Sequence, residues 1–423
     1  MIIKRKELLD ALKIVNRVVE KKSSMPVLST VQIDGKSAVM RATDLDVGVE
    51  IPLEIPKTAE KYTLNAKRLT DIVKSLDADD VELKVMDGDD IPENWVNINS
   101  LFEISGYPAD EFPEFEIPEM TGSGFVTVGK KALENVIPAV TREEAGFKLS
   151  GVYFDAEQGK AVATDGHRLH MEPINAEGGS VMVDGKALGT VISSLGKDED
   201  EITFKTDTKK VIEREATDPP GKTLLHGLKK EQLISLAEDY FVGLSWVGDE
   251  TVANIREILM AEMQKAAEPV YSETARHVVV KTEKATFVIR SMEIRFPDYV
   301  QVVPKEAVHT ITVKRGDFLP AVNQALTMAN ERYKAVRLTF NGKGTIEMES
   351  VNPDIGNYQR LTVPMTGHVD PQVEAGFNPA HLKAIMEITK DNDAVFEVGV
   401  NSNVLPLTFN LGSFEGLVMP MRV

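Results

Sequence analysis

An internal repeat constrains this 423-residue chain more than any other feature of its sequence. The segment Leu28–Asp34 is followed by Ala42–Asp44, and a similar pair, Leu149–Asp155 and Ala163–Asp165, follows 121 residues later. A third copy of the first segment fits Val336–Met348. Similarity at a fixed spacing indicates copies of one structural unit. The sequence therefore predicts three related units.

A second marker sets the length of each unit. Phe112–Phe115 closes the first unit and Phe296–Tyr299 closes the second, 184 residues later rather than 121. The second unit is therefore predicted to contain an insertion, placed at about 207–274. Turn-rich stretches near 122 and 306 mark the boundaries between units. The predicted domains are unit I (1–122), unit II (123–306) and unit III (307–423).

Hydrophobic periodicity predicts the same elements in every unit. Alternating apolar residues indicate antiparallel strands, and apolar residues spaced three and four apart indicate two amphipathic helices per unit. Pro138 is expected to kink or shift its helix. The fold class is thus α+β, with two helices and several strands per unit. The predicted helices are 6–20, 65–76, about 129–142, 184–195, 315–331 and 378–389, with two more at about 229–240 and 250–266 in the insertion.

The distribution of charge decides whether nucleic acid is a plausible partner. The net charge of −18 alone argues against it, because phosphate contacts need clustered Lys and Arg. The basic residues, however, recur on the predicted helices, while acidic runs lie in turns. Helices that face a common centre would bind duplex DNA without reading its sequence. The predicted DNA-facing residues are Lys13, Arg17, Lys22, Lys67, Arg68, Lys74, Lys130, Lys131, Arg142, Lys186, Lys314, Arg332 and Lys383.

Few features of the sequence favour an enzyme. Asp165 beside His167 allows a general-base reading, but Ala-Thr-Asp recurs in unit I without a histidine. No P-loop, zinc or nucleophile motif is present, and the chain has no cysteine. Neither a catalytic residue, a metal nor a cofactor is predicted. Without a signal-like or membrane-spanning apolar run, a cytoplasmic protein with no membrane partner is expected.

The C-terminal segment Leu417–Val423 is apolar, although chain ends are usually polar. Two readings remain open for it. The segment forms either a last strand tucked into the core or the edge of a groove, where methionine adapts to varied partner side chains.

Three motifs together resemble one family. The repeat, Ala163–Leu169 (ATDGHRL) and Val418–Arg422 (VMPMR) are similar to the beta subunits of bacterial DNA polymerase III, the sliding clamps. The resemblance implies three clamp domains per chain and a head-to-tail homodimer that forms a six-domain ring around double-stranded DNA. It also implies a non-catalytic processivity factor. Its partners would be the polymerase III catalytic subunit, the clamp loader and other clamp-motif proteins.

The resemblance further implies a peptide-binding cleft between units II and III. Gln301, His381 and Val423 depart from the commoner family residues, so the peptide preference is expected to differ. The implied cleft residues are Leu149, Thr164, Gly166, His167, Arg168, Leu169, Pro297, Val302, Leu417, Met419, Pro420, Met421 and Arg422.

The resemblance places the dimer interface between unit I of one subunit and unit III of the other. Phe102 and Ile104 would meet Thr327 and Met328, although the first two also suit a strand core. The insertion is expected to be an outer contact platform. Two rival functions remain open: an enzyme centred on Asp165 and His167, and an acidic scaffold that never encircles DNA.

Overall fold

The computed structural model describes most of the chain outside the insertion. The described ranges are 1–20, 24–86, 94–118, 124–141, 149–214, 270–292, 296–328, 335–352 and 357–421, with backbone alone at 207–214, 270–276, 351–352 and 357–358. Met1–Thr208 and Ala275–Val423 form one compact unit. Lys209–Thr274 forms a second, of which only the strand ends are described.

The described residues contain two α-helices from each predicted unit, as the periodicity indicated. The helix around Pro138 is shorter than predicted: it stops at Val136, and a 3-10 turn at Ile137–Ala139 follows. Proline has no N–H to donate and clashes with a continuing helix. The helices are α1 (Arg5–Val18), α2 (Ala66–Ser75), α3 (Lys130–Val136), α4 (Gly185–Ser194), α5 (Arg315–Met328) and α6 (Pro379–Met386).

Four sheets contain the strands, and neighbouring strands whose register is defined are antiparallel. The first sheet has the order β1 (Ile2–Lys4), β6 (Asp80–Val85), β7 (Trp95–Ile98), β8 (Phe102–Ser105). The last has the order β21 (Asn357–Pro364), β20 (Thr345–Asn352), β19 (Val336–Phe340), β22 (Val373–Phe377).

The other two sheets each join two successive units. The nine-stranded sheet joins units I and II through β17 and β4, and the eight-stranded sheet joins units II and III through β12 and β25. The nine-stranded order is β13 (Asn175–Glu177), β9 (Gly124–Gly129), β15 (Glu201–Arg214), β16 (Val270–Lys281), β17 (Thr286–Arg290), β4 (Val47–Pro52), β3 (Val39–Thr43), β2 (Thr30–Asp34), β5 (Lys61–Asn65). The eight-stranded order is β14 (Val181–Asp184), β10 (Gly151–Asp155), β11 (Lys160–Thr164), β12 (Arg168–Pro173), β25 (Phe414–Val418), β24 (Leu407–Leu411), β23 (Val395–Val400), β18 (His309–Lys314).

The same local bonds recur in all three units. The backbone N–H that opens the first helix of each unit donates to a carbonyl just before a strand: Arg5 to Asp79 at 2.8 Å, Lys130 to Asp200 at 2.7 Å and Arg315 to Ala394 at 2.9 Å. The second helix of each unit is capped by an Asn or Asp side chain, which satisfies N–H groups that the helix cannot. The capping residues are Asn65, Asp184 and Asn378. The threefold repeat in the sequence is therefore a threefold repeat of structure.

Buried side chains form one core under units I and II and another in unit III. Leu69 and Val73 of α2 are fully buried, while Lys67, Arg68 and Lys74 on the same helix are exposed. Helix α2 thus buries its apolar stripe and leaves its basic residues in solvent.

The second compact unit, Lys209–Thr274, overlaps the range predicted for the insertion, about 207–274. Strands β15 and β16 continue to Arg214 and from Val270, so both extend into that range. The extension of β15 is mostly charged and lacks the apolar alternation that marks a half-buried strand. The helices predicted at 229–240 and 250–266 lie outside the described residues.

Candidate functional site

The loop after β11 gives the Ala-Thr-Asp motif its structural role. Asp165 Oδ1 accepts hydrogen bonds from the backbone N–H groups of His167 and Arg168, both at 3.0 Å. Thr164 Oγ1 accepts from the N–H of Gly166 at 3.0 Å and donates to the carbonyl of Arg168 at 2.6 Å. Gly166 has φ +85°, which favours glycine. The motif therefore folds a tight turn that exposes Gly166 and His167.

The carboxylate of Asp165 is also occupied on its second oxygen. Oδ2 accepts from Arg168 Nε at 2.9 Å, and both side chains are 15% exposed. Arg168 donates in addition to the carbonyl of Pro138. Among the described residues, Asp165 bonds to the backbone of His167 and not to its ring. The acid–base pair of the enzyme hypothesis is therefore not formed.

His381 of α6 approaches this turn from unit III. Its Nε2 lies 3.9 Å from Asp165 Oδ2 and 3.3 Å from the amide nitrogen of Asn378. Its ring stacks beside that of His167, with centroids 6.1 Å apart. Burial lowers the pKa of His381 to about 4, although the charge of Asp165 acts in the opposite direction. His381 is thus neutral at pH 7 and joins units II and III.

The apolar floor of the site is a row of residues across three strands. Thr164 pairs with Leu169, and Leu169 pairs with Leu417, so the three lie side by side on one face of the eight-stranded sheet. Leu169 and Leu417 belong to a small buried cluster with Tyr299. Side chains at paired positions on one face are in contact. Three of the implied cleft residues are therefore brought together by register alone.

Tyr299 fixes the segment that covers one side of this floor. Its hydroxyl donates to Asp155 Oδ2 at 2.9 Å, and burial raises its pKa above the usual value. Phe296 of the same segment stacks on Tyr153 at 4.8 Å. The adjoining Pro297 and Val302 are exposed beside the floor, and Val302 is 47% exposed.

The C-terminal segment has features of both interpretations that the sequence left open. Leu417 and Val418 are buried strand residues of the core. Beyond them, the N–H of Met419 donates to the carbonyl of His167 at 2.8 Å. The N–H of Met421 donates to the carbonyl of Gly376 at 2.8 Å, and the Met421 side chain is 36% exposed. The segment is a core strand that continues as the rim of the site.

The remaining implied cleft residues fall into three groups. Leu149 is buried, whereas Met419 and Pro420 are partly exposed. Arg422 lies outside the described residues, as does Val423.

Sequence reasoning missed Val162, Met171 and Tyr299, which form the floor with Leu169 and Leu417. The alternation of β11 and β12 was the signal for the first two, and the Phe296–Tyr299 marker was the signal for the third.

The structure brings two predicted DNA-facing residues from different units together. Helix α1 packs on both α2 and α4. Arg17 of α1 and Lys186 of α4 line one groove of about 450 Å³. Lys186 also lies 3.5 Å from Asp44. Glu20 also lines this groove, which therefore brings two basic side chains and one carboxylate together at the junction of units I and II.

The other predicted basic residues differ in their partners. Lys13, Lys314 and Lys383 each lie within 4 Å of a carboxylate, of Asp10, Asp393 and Glu387 respectively. Within the described residues, five form no ion pair: Lys67, Arg68, Lys74, Lys130 and Lys131. Lys22, Arg142 and Arg332 lie outside the described residues.

The residues implied at a dimer interface lie at sheet and helix ends. Phe102 and Ile104 belong to β8, an edge strand, and are partly buried against the core of units I and II. Thr327 and Met328 end α5, which packs on the edge strand β21. Edge strands present unpaired backbone groups to another chain.

No described group of three or more His, Asp or Glu side chains is arranged to hold a metal ion. In the same residues, no helix has the length and apolar character needed to cross a membrane.

Known proteins match this chain along its length. Two family models match: the N-terminal domain of the DNA polymerase III beta subunit over residues 1–116, and its C-terminal domain over 300–422. The beta sliding clamp of Pseudomonas putida is 24% identical and is aligned over 100% of this chain and 99% of its own length. That of Halalkalibacterium halodurans is 25% identical over 81% of this chain and 78% of its own.

Solved structures show the same fold. The DNA polymerase III beta subunit of Pseudomonas aeruginosa superposes with a TM-score of 0.74 at 20% identity and full coverage of both chains. That of Thermotoga maritima superposes with a TM-score of 0.73 at 20% identity, covering 100% of this chain and 99% of its own. The two family models together span more than half of the residues. The chain belongs to the DNA polymerase III beta-subunit family, the bacterial sliding clamps.

Proposed function

We propose that this chain forms a head-to-tail homodimeric ring that encircles double-stranded DNA. The ring would hold the polymerase III catalytic subunit, the clamp loader and other clamp-motif proteins through the cleft between units II and III, here called the II–III cleft. The observation that carries the proposal is the row Thr164–Leu169–Leu417 with its rim at Met419. This row gives an apolar trough edged by a few polar groups, which suits an extended peptide with bulky apolar residues.

Ring closure is supported by two edges on opposite units. Strand β8 of unit I and strand β21 of unit III each end a four-stranded sheet. Pairing one edge with the other from a second copy is a heterologous contact, and such contacts close into a ring when the rotation allows it. Phe102 and Ile104 would then meet the end of α5 at Thr327 and Met328.

DNA contact is supported by the placement of the basic side chains. The helices leave Lys67, Arg68 and Lys131 in solvent, and the α1–α4 groove holds Arg17 beside Lys186. Such side chains neutralise phosphates without reading bases, so binding would be independent of sequence and sensitive to salt. The protein would act by topology in the cytoplasm, and no catalytic step is assigned to it.

The experiment is primer extension on a primed single-stranded DNA circle with the clamp loader and the catalytic subunit. Adding this chain should lengthen the products made in a single binding event. The variant Val302→Asp, which places a charge beside the apolar floor, should abolish that gain. Val395→Asp is the matched control, because Val395 is 46% exposed and starts β23 away from the site. Products of equal length with and without the chain would contradict the proposal.

A further inference from the structure

The junction of units I and II repeats the backbone geometry of the II–III cleft. The N–H of Arg290 donates to the carbonyl of Asp46 at 2.8 Å, as the N–H of Met419 does to that of His167 at 2.8 Å. In both places the last strand of one unit is hydrogen-bonded to the Ala-Thr-Asp turn of the preceding unit. Position by position, Arg290 corresponds to Met419 and Asp46 to His167.

The floor of this junction is a matching row across three strands. Thr43 pairs with Gly48, and Gly48 pairs with Val288, as Thr164, Leu169 and Leu417 do in the II–III cleft. An aromatic residue covers each floor, Phe115 in one case and Tyr299 in the other. The two residues occupy the same place in the markers Phe112–Phe115 and Phe296–Tyr299.

Gly48 and Phe115 together replace the leucine of the other floor. Ring carbons of Phe115 lie 2.7–2.9 Å from where a Cβ on Gly48 would stand, so the ring rests directly on the glycine backbone. A larger residue at 48 would displace it. The aromatic ring of Phe115 thus supplies the apolar surface that Leu169 supplies between units II and III.

Leu45 lies in the turn of this junction, where its backbone is strained and its apolar side chain is exposed. It has φ +77°, at the position where the other turn has Gly166 with φ +85°. Left-handed backbone is unfavourable for a residue with a Cβ. The Leu45 side chain is also 56% exposed, so its apolar surface gains little from folding. A strained, exposed leucine where glycine would serve the fold better points to a contact outside the chain.

Leu45, Gly48, Phe115, Pro118, Val288 and Arg290 are among the residues that line a cavity of about 490 Å³ at this junction. Asp46 and Glu116 also line it, opposite in charge to Arg290. These three side chains leave one formal negative charge, and the rest of the lining is largely apolar, so the apolar surface sets the class of ligand. A single bulky apolar side chain, carried on extended backbone, fits a cavity with one leucine wall and one aromatic floor.

We propose that the I–II junction is a second docking cleft, which takes a short extended segment of a partner protein anchored by one bulky apolar residue. It binds the partner segment more weakly than the II–III cleft does, because the charged Arg290 occupies the position that the apolar Met419 occupies there. The choice of a peptide as ligand rests on the function proposed above. The cleft itself rests on the geometry of Leu45, Gly48 and Phe115.

The chain has no cysteine, so one introduced cysteine carries a single reporter dye. Glu116→Cys places the dye at the I–II junction, and Val300→Cys places it at the matching position beside the II–III cleft; both residues are exposed. A ten-residue peptide whose apolar residues are one Leu and one Phe is added to the full labelled chain, up to a peptide concentration of about 1 mM. Both dyes should respond to the peptide. The Glu116→Cys dye should need a peptide concentration roughly tenfold or more above the one that the Val300→Cys dye needs.

Leu45→Gly, added to Glu116→Cys, tests the anchor. It removes the side chain and relieves the backbone, so the chain should be at least as heat-stable as before. The response at the I–II junction should disappear, while the Val300→Cys response should be unchanged. Ala38→Gly is the control, because Ala38 also has a positive φ, +55°, but lies in the β2–β3 hairpin.

Each other result has a separate meaning. A Glu116→Cys dye that does not respond, or that responds equally in Leu45→Gly, would overturn the second cleft. So would a change in the mass of the assembly on Leu45→Gly, because the occupant would then be a second copy. A silent Val300→Cys dye beside a responding Glu116→Cys dye would contradict the proposed function and leave the second cleft standing.

Discussion

The backbone N–H of Met419 donates to the carbonyl oxygen of His167, 2.8 Å away, and so ties unit III to the Ala-Thr-Asp turn of unit II. The bond continues the pairing of β25 with β12 by one residue. It places an adaptable methionine beside a turn whose Asp165 and Arg168 already satisfy each other. The proposed II–III cleft would therefore be built by two units, with apolar walls and a polar end that carries little net charge.

Val302→Asp should weaken binding of an apolar-anchored peptide at least tenfold. The substitution places a carboxylate three residues after Tyr299, whose side chain packs with Leu169 and Leu417, and a bound peptide would have to desolvate it. Because Val302 is already 47% exposed, the melting temperature should hardly change. Fluorescence anisotropy with a labelled peptide measures the effect. Equal affinity in Val302→Asp and in the control Val395→Asp would remove this surface from the cleft.

Arg17→Glu should shorten the lifetime of the loaded chain on circular DNA. The substitution reverses the charge in the α1–α4 groove, next to Lys186. Loss of a phosphate contact also reduces the dependence of retention on salt concentration. Lys305→Glu makes the same charge change on an exposed residue of the segment that precedes β18, where no DNA contact is predicted. If both variants were retained equally at every salt concentration, Arg17 would not face DNA.

Ile104→Lys should shift the assembly from dimer to monomer at micromolar concentration. A charged side chain on an edge strand opposes pairing with another edge. Val85→Lys is the control: Val85 is 37% exposed on β6, a central strand of the same sheet. Light scattering at several concentrations reads the mass directly. A dimer that Ile104→Lys leaves intact would move the interface away from β8.

The stability of the protein should fall as the pH drops below about 6.5. His170 is fully buried, its Nδ1 bonds to the carbonyl of Asn135 at 2.8 Å, and its Nε2 has no hydrogen-bond partner among the residues that the structure describes. Burial lowers the pKa of His170 to about 4, with Arg168 lowering it further and Asp165 opposing the shift. Between the folded and unfolded values the unfolded chain binds more protons, so His170 alone costs the folded state about 3 kcal/mol from pH 6.5 to pH 4. His381, whose pKa burial also lowers to about 4, adds to the loss over the same range.

His170→Phe isolates this contribution, because phenylalanine keeps the ring beside Phe414 and cannot be protonated. The variant should be less stable at pH 7, since the carbonyl of Asn135 loses its donor. Its free energy of unfolding should vary less with pH between 4 and 6.5 than that of the parent chain. Urea titrations across that range measure the two slopes. Parallel slopes would show that His170 is not the group that titrates.

The repeat was predictable because similar short segments recur along the chain. The helices were predictable because apolar spacing is a local signal. The six helices lie where apolar spacing placed them, and the shortening of α3 follows from Pro138. The far part of β15 was not predictable, because its mostly charged residues carry no apolar alternation.

The approach of His381 to Asp165 depends on how unit III meets unit II, and no short-range pattern encodes that. The floor residues were partly predictable, since Leu169 ends one family motif and Leu417 directly precedes the other, while Met171 lies in neither. The strain at Leu45 could have been found by aligning the two Ala-Thr-Asp turns. That alignment places a leucine where the second turn has Gly166.

The most direct test of the ring is the solution mass of the purified chain, measured together with electron microscopy of the same sample. A homodimeric ring should appear as a particle of twice 46.6 kDa with a central hole wide enough for duplex DNA. A solid particle of one chain mass at all concentrations would contradict encirclement. The chain would then be a peptide-binding scaffold with the clamp fold.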